Sequence, residues 1–242
     1  MITTATTLRD QAQATRAASR RLAAASAEKK NSALLAIAKS IETNSGMILR
    51  ANEQDLQTAT EVDLDFQVIE RMTLDNARVH DMADAARKIA ELDDPIGEVL
   101  ETRTVSNGLQ LERVRVPLGV IGVIYESRPN VTIDIATLCL KSGNGVILRG
   151  GKECFATNTV LADLAKDAID TAGLPREAIQ FVKSTDRSLV KEMLGMDDSI
   201  DLMIPRGSAD LVTFVGDNAK MPAITGGIGV CHTYIDGGAN LD

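Results

Sequence analysis

Beyond Pro117 the chain alternates short apolar runs with longer segments of helical periodicity, and this alternation restricts the fold more than any other feature of the sequence. Short apolar runs bounded by turn residues predict buried strands, which fall at residues 120–125, 145–149, 179–182 and 200–204, with a last apolar stretch at 228–235. Helical patterns fill the intervals at residues 131–142, 155–172, 187–196 and 209–215. Because strand and helix alternate, we predict an α/β fold with a doubly wound parallel sheet.

The chain before residue 95 predicts an N-terminal helical segment. Ser26 is a candidate N-cap, because Ser side chains accept hydrogen bonds from the first free N–H groups of a helix. The residues behind it place one apolar stripe on a helix: Leu34, Ile37, Ala38 and Ile41. A second helical pattern follows Thr73 and is stopped by Pro and Gly within residues 94–97.

A β-hairpin is predicted between these two regions. Asn107 and Gly108 separate two β-capable runs, residues 99–105 and 109–116, as a type I′ turn requires. The second run changes phase at Arg113, which indicates a bulge. A polar hairpin of this kind fits an oligomerisation arm and a simple surface flap equally well.

The charge balance argues against a nucleic-acid partner. The sequence has 26 Lys and Arg against 34 Asp and Glu, a formal net charge of −8, whereas nucleic-acid binding needs a cationic surface. Aromatic residues make up only 2% of the chain and Trp is absent, so base-stacking surfaces have little to be built from.

The sequence predicts a cytoplasmic protein with no membrane partner. The longest apolar run, residues 116–125, contains Pro117 and is far short of the ~20 residues that span a bilayer. The first residues lack the apolar middle of a signal peptide.

Metal and disulfide chemistry are not predicted. The three cysteines, Cys139, Cys154 and Cys231, are odd in number. Together with the two histidines, His80 and His232, they show no metal-ligand spacing, which argues against structural zinc.

Four turns of the predicted sheet are candidate ligand sites, because ligands of open parallel sheets bind at the carboxyl ends of the strands. Three of the turns follow predicted strands and the fourth precedes the last one, and two of the four carry glycine beside cationic side chains. The turns are residues 125–130 (YESRPN), 149–153 (RGGKE), 205–208 (PRGS) and 225–229 (TGGIG). None is a GxGxxG or GxxxxGK(S/T) motif, and each alone is also a common structural turn. Cations beside glycines and helix N-termini, at one edge of an acidic protein, together predict an anionic ligand such as a nucleotide.

Four longer motifs carry a resemblance to a known family. They are residues 113–132 (RVRVPLGVIGVIYESRPNVT), 141–153 (KSGNGVILRGGKE), 204–208 (IPRGS) and 224–232 (ITGGIGVCH). With them the chain resembles, over nearly its whole length, the gamma-glutamyl phosphate reductases, or glutamate-5-semialdehyde dehydrogenases, of the aldehyde dehydrogenase superfamily. The resemblance implies an aldehyde dehydrogenase-like fold and the NADPH-dependent reduction of L-glutamyl 5-phosphate to L-glutamate 5-semialdehyde and phosphate, in proline biosynthesis. It also implies a homo-oligomer, and glutamate 5-kinase, which makes the substrate, as a candidate partner.

The resemblance implies roles for single residues. In the superfamily a cysteine thiolate displaces the leaving group to form a thioester, and an Asn side chain helps to bind the oxyanion. Asn130 occupies the matching place, although it also opens a predicted helix and fits an N-cap. No cysteine of this chain matches the superfamily nucleophile, which is therefore expected beyond Asp242. Cys231 is the weaker alternative, because the adjacent His232 would point to the opposite face of a strand.

NADP is the cofactor that the resemblance implies. Arg149 falls where the superfamily places a basic residue against the adenosine ribose. Lys152 stands where NAD-preferring relatives often carry Glu, and an ammonium attracts the 2′-phosphate that a carboxylate repels.

Further residues complete the implied cofactor site. Gly207 and Ser208 match the Gly-Ser pair that opens the helix under the pyrophosphate. Glu126, Ser127 and Arg128 are expected to line the same crevice, and Arg128 fits the substrate phosphate equally well.

At one position this chain differs from the hydrolytic members of the superfamily, and the difference affects the fate of the thioester. The hydrolytic members of the superfamily carry a Glu that activates water at the position of Ile224. Without that base the thioester is less exposed to hydrolysis, which favours a reductase of an activated acyl group.

The resulting domain prediction has three parts. Residues 1–97 and 117–227 form a Rossmann-like cofactor-binding domain, residues 98–116 an oligomerisation hairpin, and residues 228–242 the start of a truncated catalytic domain. The alternative is a non-catalytic nucleotide-binding or regulatory module with the same sheet.

Overall fold

The N-terminal part of the chain is helical, as predicted. The computed structural model describes residues 7–226 and 230–240 of the 242. Its first helices are α1 Leu8–Ala23, α2 Ala27–Thr43, α3 Ser45–Glu61, α4 Phe66–Met72 and α5 Asn76–Glu91. Ser26 caps α2 by accepting a hydrogen bond from the Lys29 N–H at 3.3 Å. The helix predicted after Thr73 begins only at Asn76, because Asp75 is its N-cap.

A two-stranded antiparallel hairpin follows. Its strands are β1 Val99–Thr104 and β2 Gln110–Val114. The turn closes when the Gly108 N–H donates to the Val105 carbonyl at 2.8 Å and the Val105 N–H donates to the Leu109 carbonyl at 2.9 Å. Gly108 has a φ of 87°, but Asn107 has no positive φ. The turn is therefore a type I turn with a G1 bulge, and the predicted type I′ turn is wrong.

The predicted bulge lies at the expected level of the hairpin but on the other strand. The register shifts between Val99 and Glu101, so Leu100 is the extra residue opposite Arg113 and Val114. A bulge on either strand shifts the alternation of inward and outward side chains on one strand by one residue relative to the other strand. The change of phase in one stretch of sequence therefore does not show which strand carries the extra residue. Every residue of β1 and β2 is exposed.

A four-stranded parallel sheet forms the centre of the rest of the chain. Its strands are β3 Val120–Tyr125, β4 Gly145–Gly150, β5 Ile179–Phe181 and β6 Leu202–Arg206, in the spatial order β5-β4-β3-β6. The helices between and after them are α6 Asn130–Lys141, α7 Phe155–Thr171, α8 Ser188–Leu194 and α9 Ala209–Asn218. The doubly wound α/β fold predicted from the alternating pattern is confirmed.

Helices cover both faces of the sheet, which explains why β3 and β4 are buried along their whole length. Ile121, Val123 and Tyr125 of β3 point into a large core shared with α2, α5, α6 and α7. Val120 and Ile124 point to the opposite face, into a second core with α8, α9 and the start of α1.

Two predicted segments differ from the structure. The strand predicted at residues 200–204 begins at Leu202, because the Ile200 N–H is bound at 2.8 Å to the Met196 carbonyl in the turn after α8. Residues 230–235, the described part of the last predicted strand, belong to neither helix nor strand, and the start of that segment lies outside the described residues. Among the described helices, none combines the length and apolarity needed to cross a membrane.

Candidate functional site

The parallel register brings three of the four predicted turns to one edge of the sheet. Tyr125, the last residue of β3, pairs with Gly150 at the end of β4 and with Arg206 at the end of β6. The turns that follow these strands therefore begin at the same level, as ligand sites in open α/β sheets require. Residues 225–226 of the fourth turn line none of the three cavities below, and the remainder of that turn lies outside the described residues.

The largest cavity at this edge has a volume of about 550 Å³, within the usual range of ligand sites. We call it the β4–α8 crevice, and its lining includes Glu126, Arg149, Lys152, Arg187, Lys191 and Ser208. The side chains of Lys152, Arg187 and Lys191 form no hydrogen bond or ion pair with another described residue. The crevice therefore offers free positive charge to an anionic ligand.

Arg149 lies in the crevice but is largely committed to the protein itself. Its side chain is buried, and its Nη1 and Nη2 atoms donate to the carbonyls of Gly150 at 3.1 Å and Thr185 at 3.3 Å. Burial lowers the pKa of the guanidinium, and the like charge of Arg187 acts in the same direction. The buried Nε atom has no partner in the structure, so one donor of this guanidinium remains unused.

The turns after β3 and β4 are joined by Glu153. Its Oε1 atom accepts hydrogen bonds from the Ser127 N–H at 2.6 Å and from the Ser127 hydroxyl at 2.9 Å. These bonds hold Ser127 at a φ of 46°, a conformation that non-glycine residues rarely adopt. A Cβ atom on Gly151 would lie 2.1 Å from the same carboxylate oxygen, so the junction requires glycine there.

The turn after β6 forms the N-terminus of α9, as predicted for Gly207 and Ser208. The Ser208 hydroxyl accepts a hydrogen bond from the Leu211 N–H, and the Ser208 N–H donates to Glu126 Oε2 at 2.8 Å. A Cβ atom on Gly207 would lie 2.3 Å from that same oxygen. The carboxylate of Glu126 thus occupies the place where a helix N-terminus binds an anion.

Two further cavities continue from this point. The junction pocket, of about 230 Å³, shares Glu126 and Ser208 with the β4–α8 crevice. The arginine pocket, of about 540 Å³, shares Arg71 and Arg128 with the junction pocket. The three cavities therefore follow one another from the turn after β4 to the helices α4 and α5.

Asn130 lines the arginine pocket at the start of α6. Its Nδ2 atom donates to Asp134 Oδ2 at 2.9 Å, and the N-cap position belongs to Pro129. The N-cap reading of Asn130 is therefore wrong. Burial raises the pKa of the Asp134 carboxyl, while the hydrogen bond from Asn130 lowers it.

The three thiols differ in their surroundings. Cys139 and Cys154 are buried, and burial raises the pKa of Cys139 to about 12 and that of Cys154 as well. A thiol that stays protonated is a poor nucleophile, so the reading of Cys139 as a core residue fits its environment. Cys231 is exposed in a segment without helix or strand, where the alternation argument about His232 does not apply.

Four residues of the site were missed by the sequence reasoning, among them Arg71, which lines the junction and arginine pockets. Arg187 and Lys191 follow β5 and lie at the same edge of the sheet as the other cations. The sequence pattern that could have found them, cations after a predicted strand, was therefore available. Glu153 was noticed only as part of its turn, and its bond to Ser127 joins two segments that are distant in sequence.

The chain belongs to the aldehyde dehydrogenase family, whose sequence profile matches residues 2–225. Within that family it is similar to gamma-glutamyl phosphate reductases. The enzyme of this name from Proteus mirabilis is 48% identical over 235 residues, which cover 97% of this chain and 56% of that protein. The chain thus spans about half the length of the curated relatives that it matches.

Solved structures agree with the sequence relatives. A crystal structure of gamma-glutamyl phosphate reductase from Thermotoga maritima superposes with a TM-score of 0.90 at 38% identity, covering 92% of this chain and 54% of that one. The enzyme from Saccharomyces cerevisiae gives a TM-score of 0.84 at 34% identity, covering 90% and 56%. The aldehyde dehydrogenase-like fold predicted from the resemblance is confirmed.

Proposed function

We propose that this chain is the cofactor-binding part of an NADPH-dependent reductase that converts L-glutamyl 5-phosphate to L-glutamate 5-semialdehyde and phosphate, the second step from glutamate to proline. The observation that carries the proposal is the similarity to gamma-glutamyl phosphate reductases along nearly the whole chain.

The β4–α8 crevice fits a nicotinamide dinucleotide. Its volume suits a ligand of that kind, and the buried Arg149 Nε atom is a donor without a partner. Lys152, Arg187 and Lys191 are free cations for the 2′-phosphate that distinguishes NADPH from NADH. The N-terminus of α9, with Ser208, is the site for the pyrophosphate.

The bound cofactor would supply the hydride for the reduction, and residues of this chain would position the reacting groups. Asn130 is the proposed oxyanion donor. An amide nitrogen carries two hydrogens, and Asp134 accepts one of them, so the other remains for the substrate. Arg128, at the boundary of the junction and arginine pockets, is placed to meet the substrate phosphate.

The proposed nucleophile is a cysteine beyond Asp242, as the resemblance implies, and the exposed Cys231 is kept as the weaker alternative. The thiolate attacks the acyl carbon of the substrate, and phosphate leaves as the thioester forms. Cys139 and Cys154 are excluded from this role by their burial. Ile224, which lines no part of the three cavities and carries no carboxylate, provides no base to hydrolyse the thioester.

The proposal is tested with the full-length protein and L-glutamyl 5-phosphate generated in the assay by a kinase. We expect NADPH oxidation with one phosphate released for each NADPH consumed. NADPH oxidation without phosphate release, or no oxidation by a folded protein, would contradict the proposed function.

A further inference from the structure

The arginine pocket contains three arginines, and one of them is bound to other residues of the protein. Arg78, on α5, donates from Nη1 to the carbonyls of Glu70 at 2.9 Å and Thr73 at 2.6 Å. Its Nη2 atom lies 3.4 Å from the Glu70 carboxylate. These acceptors lie at the C-terminal end of α4, so Arg78 fastens α4 to α5 and fixes the last turn of α4.

The other two arginines are unengaged. Arg71 comes from that last turn of α4, and Arg128 comes from the turn after β3. Neither guanidinium forms a hydrogen bond or an ion pair with another residue that the structure describes. Both residues line the arginine pocket and the junction pocket, so two arginines from separate elements, each with a free guanidinium group, border the same cavities.

The acidic side chains around them do not neutralise them. Asp134 accepts the hydrogen bond from Asn130, Glu126 accepts that from the Ser208 N–H, and Glu70 is bound by Arg78. The remaining acid of the arginine pocket, Asp81, makes no ion pair in the described part of the chain. An anion from outside is therefore the natural counter-charge for Arg71 and Arg128.

We infer that Arg71 and Arg128 together bind an oxygen-bearing anionic group of the substrate, and that the N-terminal helical segment thereby contributes to the substrate site. A guanidinium is planar and donates two parallel hydrogen bonds to phosphate or carboxylate. The inference rests on the proposed function, because L-glutamyl 5-phosphate carries both groups, the acyl phosphate and the α-carboxylate. Asn130, the proposed oxyanion donor, lines the same pocket.

The reverse reaction distinguishes binding of the phosphate group from binding of the α-carboxylate. In that direction the full-length protein oxidises the aldehyde of L-glutamate 5-semialdehyde, hydride passes to NADP⁺, phosphate oxygen bonds to the carbonyl carbon and one proton is released. The α-carboxylate is then part of the semialdehyde, whereas the phosphate is a separate substrate, inorganic phosphate. Each has its own KM, so the two sources of the anion are measured independently.

The variants are Arg71→Met, Arg71→Lys and Arg128→Met, with Arg50→Met as the control for a free arginine on α3 that lines none of these cavities. We expect both Met variants to raise the same KM by roughly ten- to hundredfold, as the loss of a charge-assisted contact does. A rise in the KM for phosphate would show that Arg71 and Arg128 bind the phosphate group. A rise in the KM for the semialdehyde would show that they bind the α-carboxylate. Arg71→Lys should recover part of the loss, and Arg50→Met should leave both constants unchanged.

The result that would overturn the inference is a wild-type enzyme with turnover and Met variants whose two KM values stay within about twofold of it. If Arg71→Met does not fold, Arg71→Lys and Arg128→Met decide by the same criterion. A folded wild-type protein without phosphate-dependent turnover would instead contradict the proposed function itself.

Discussion

At the scale of single residues, the proposed preference for NADPH rests chiefly on Lys152. Its ammonium is exposed at the β4–α8 crevice and has no partner among the described residues, so it is free to meet a 2′-phosphate. We expect Lys152→Glu to weaken NADPH binding by roughly ten- to hundredfold, because a hydrogen bond to a charged group contributes about 1.5–3 kcal/mol. NADH binding should change little. The measurement is the dissociation constant of each nucleotide, by fluorescence or calorimetry.

The control for Lys152→Glu is Lys39→Glu, which makes the same charge change on the surface of α2. It should leave both dissociation constants near those of the wild type. Equal affinity of the wild type and Lys152→Glu for NADPH would show that the 2′-phosphate is held elsewhere, with Arg187 and Lys191 as the next residues to change.

At the scale of elements, the proposed pyrophosphate site at the N-terminus of α9 is occupied by the carboxylate of Glu126, which accepts a hydrogen bond from the Ser208 N–H. A pyrophosphate bound there as proposed would compete with Glu126 for that N–H. We expect Glu126→Gln to tighten NADPH binding by about two- to tenfold, since a charge at a helix terminus contributes about 0.3–1 kcal/mol and up to about 2 kcal/mol when partly buried. Titration of the variant with NADPH checks this, and weaker binding would mean that the carboxylate contacts the cofactor instead.

The helices, strands and turns also show how much of the structure could be predicted from the sequence alone. Short continuous apolar runs located β3 and β4, because each strand is buried on both faces, and a Gly-Ser pair located the start of α9, because both residues act locally. The type of hairpin turn was not determined, because Gly108 supplies the positive φ that either turn needs and loop length decides between them. Long-range contacts left no local pattern, such as the bond from Arg149 to Thr185 and that from Ser127 to Glu153.

At the scale of the whole molecule, the hairpin tests the oligomer that the resemblance implies. Leu100 and Leu111 are each 42% exposed on its strands. If the hairpin is an oligomerisation arm, Leu100→Lys with Leu111→Lys should lower the mass of the full-length protein measured by light scattering, because charged residues are disfavoured at an interface core. Leu35→Lys, at a 51% exposed position on α2, is the control and should not change the mass. An unchanged mass in the double variant would leave the hairpin as a surface flap.

The proposed reaction on an activated acyl group rests on the lack of a water-activating base at position 224, where this chain has Ile224. The most direct test is the oxidation of L-glutamate 5-semialdehyde by the full-length protein with NADP⁺, measured with and without inorganic phosphate. We expect sustained NADPH formation only when phosphate is present, because phosphate must release the acyl group from the thioester. Equal rates of NADPH formation without phosphate would identify a hydrolytic dehydrogenase and contradict the proposed function.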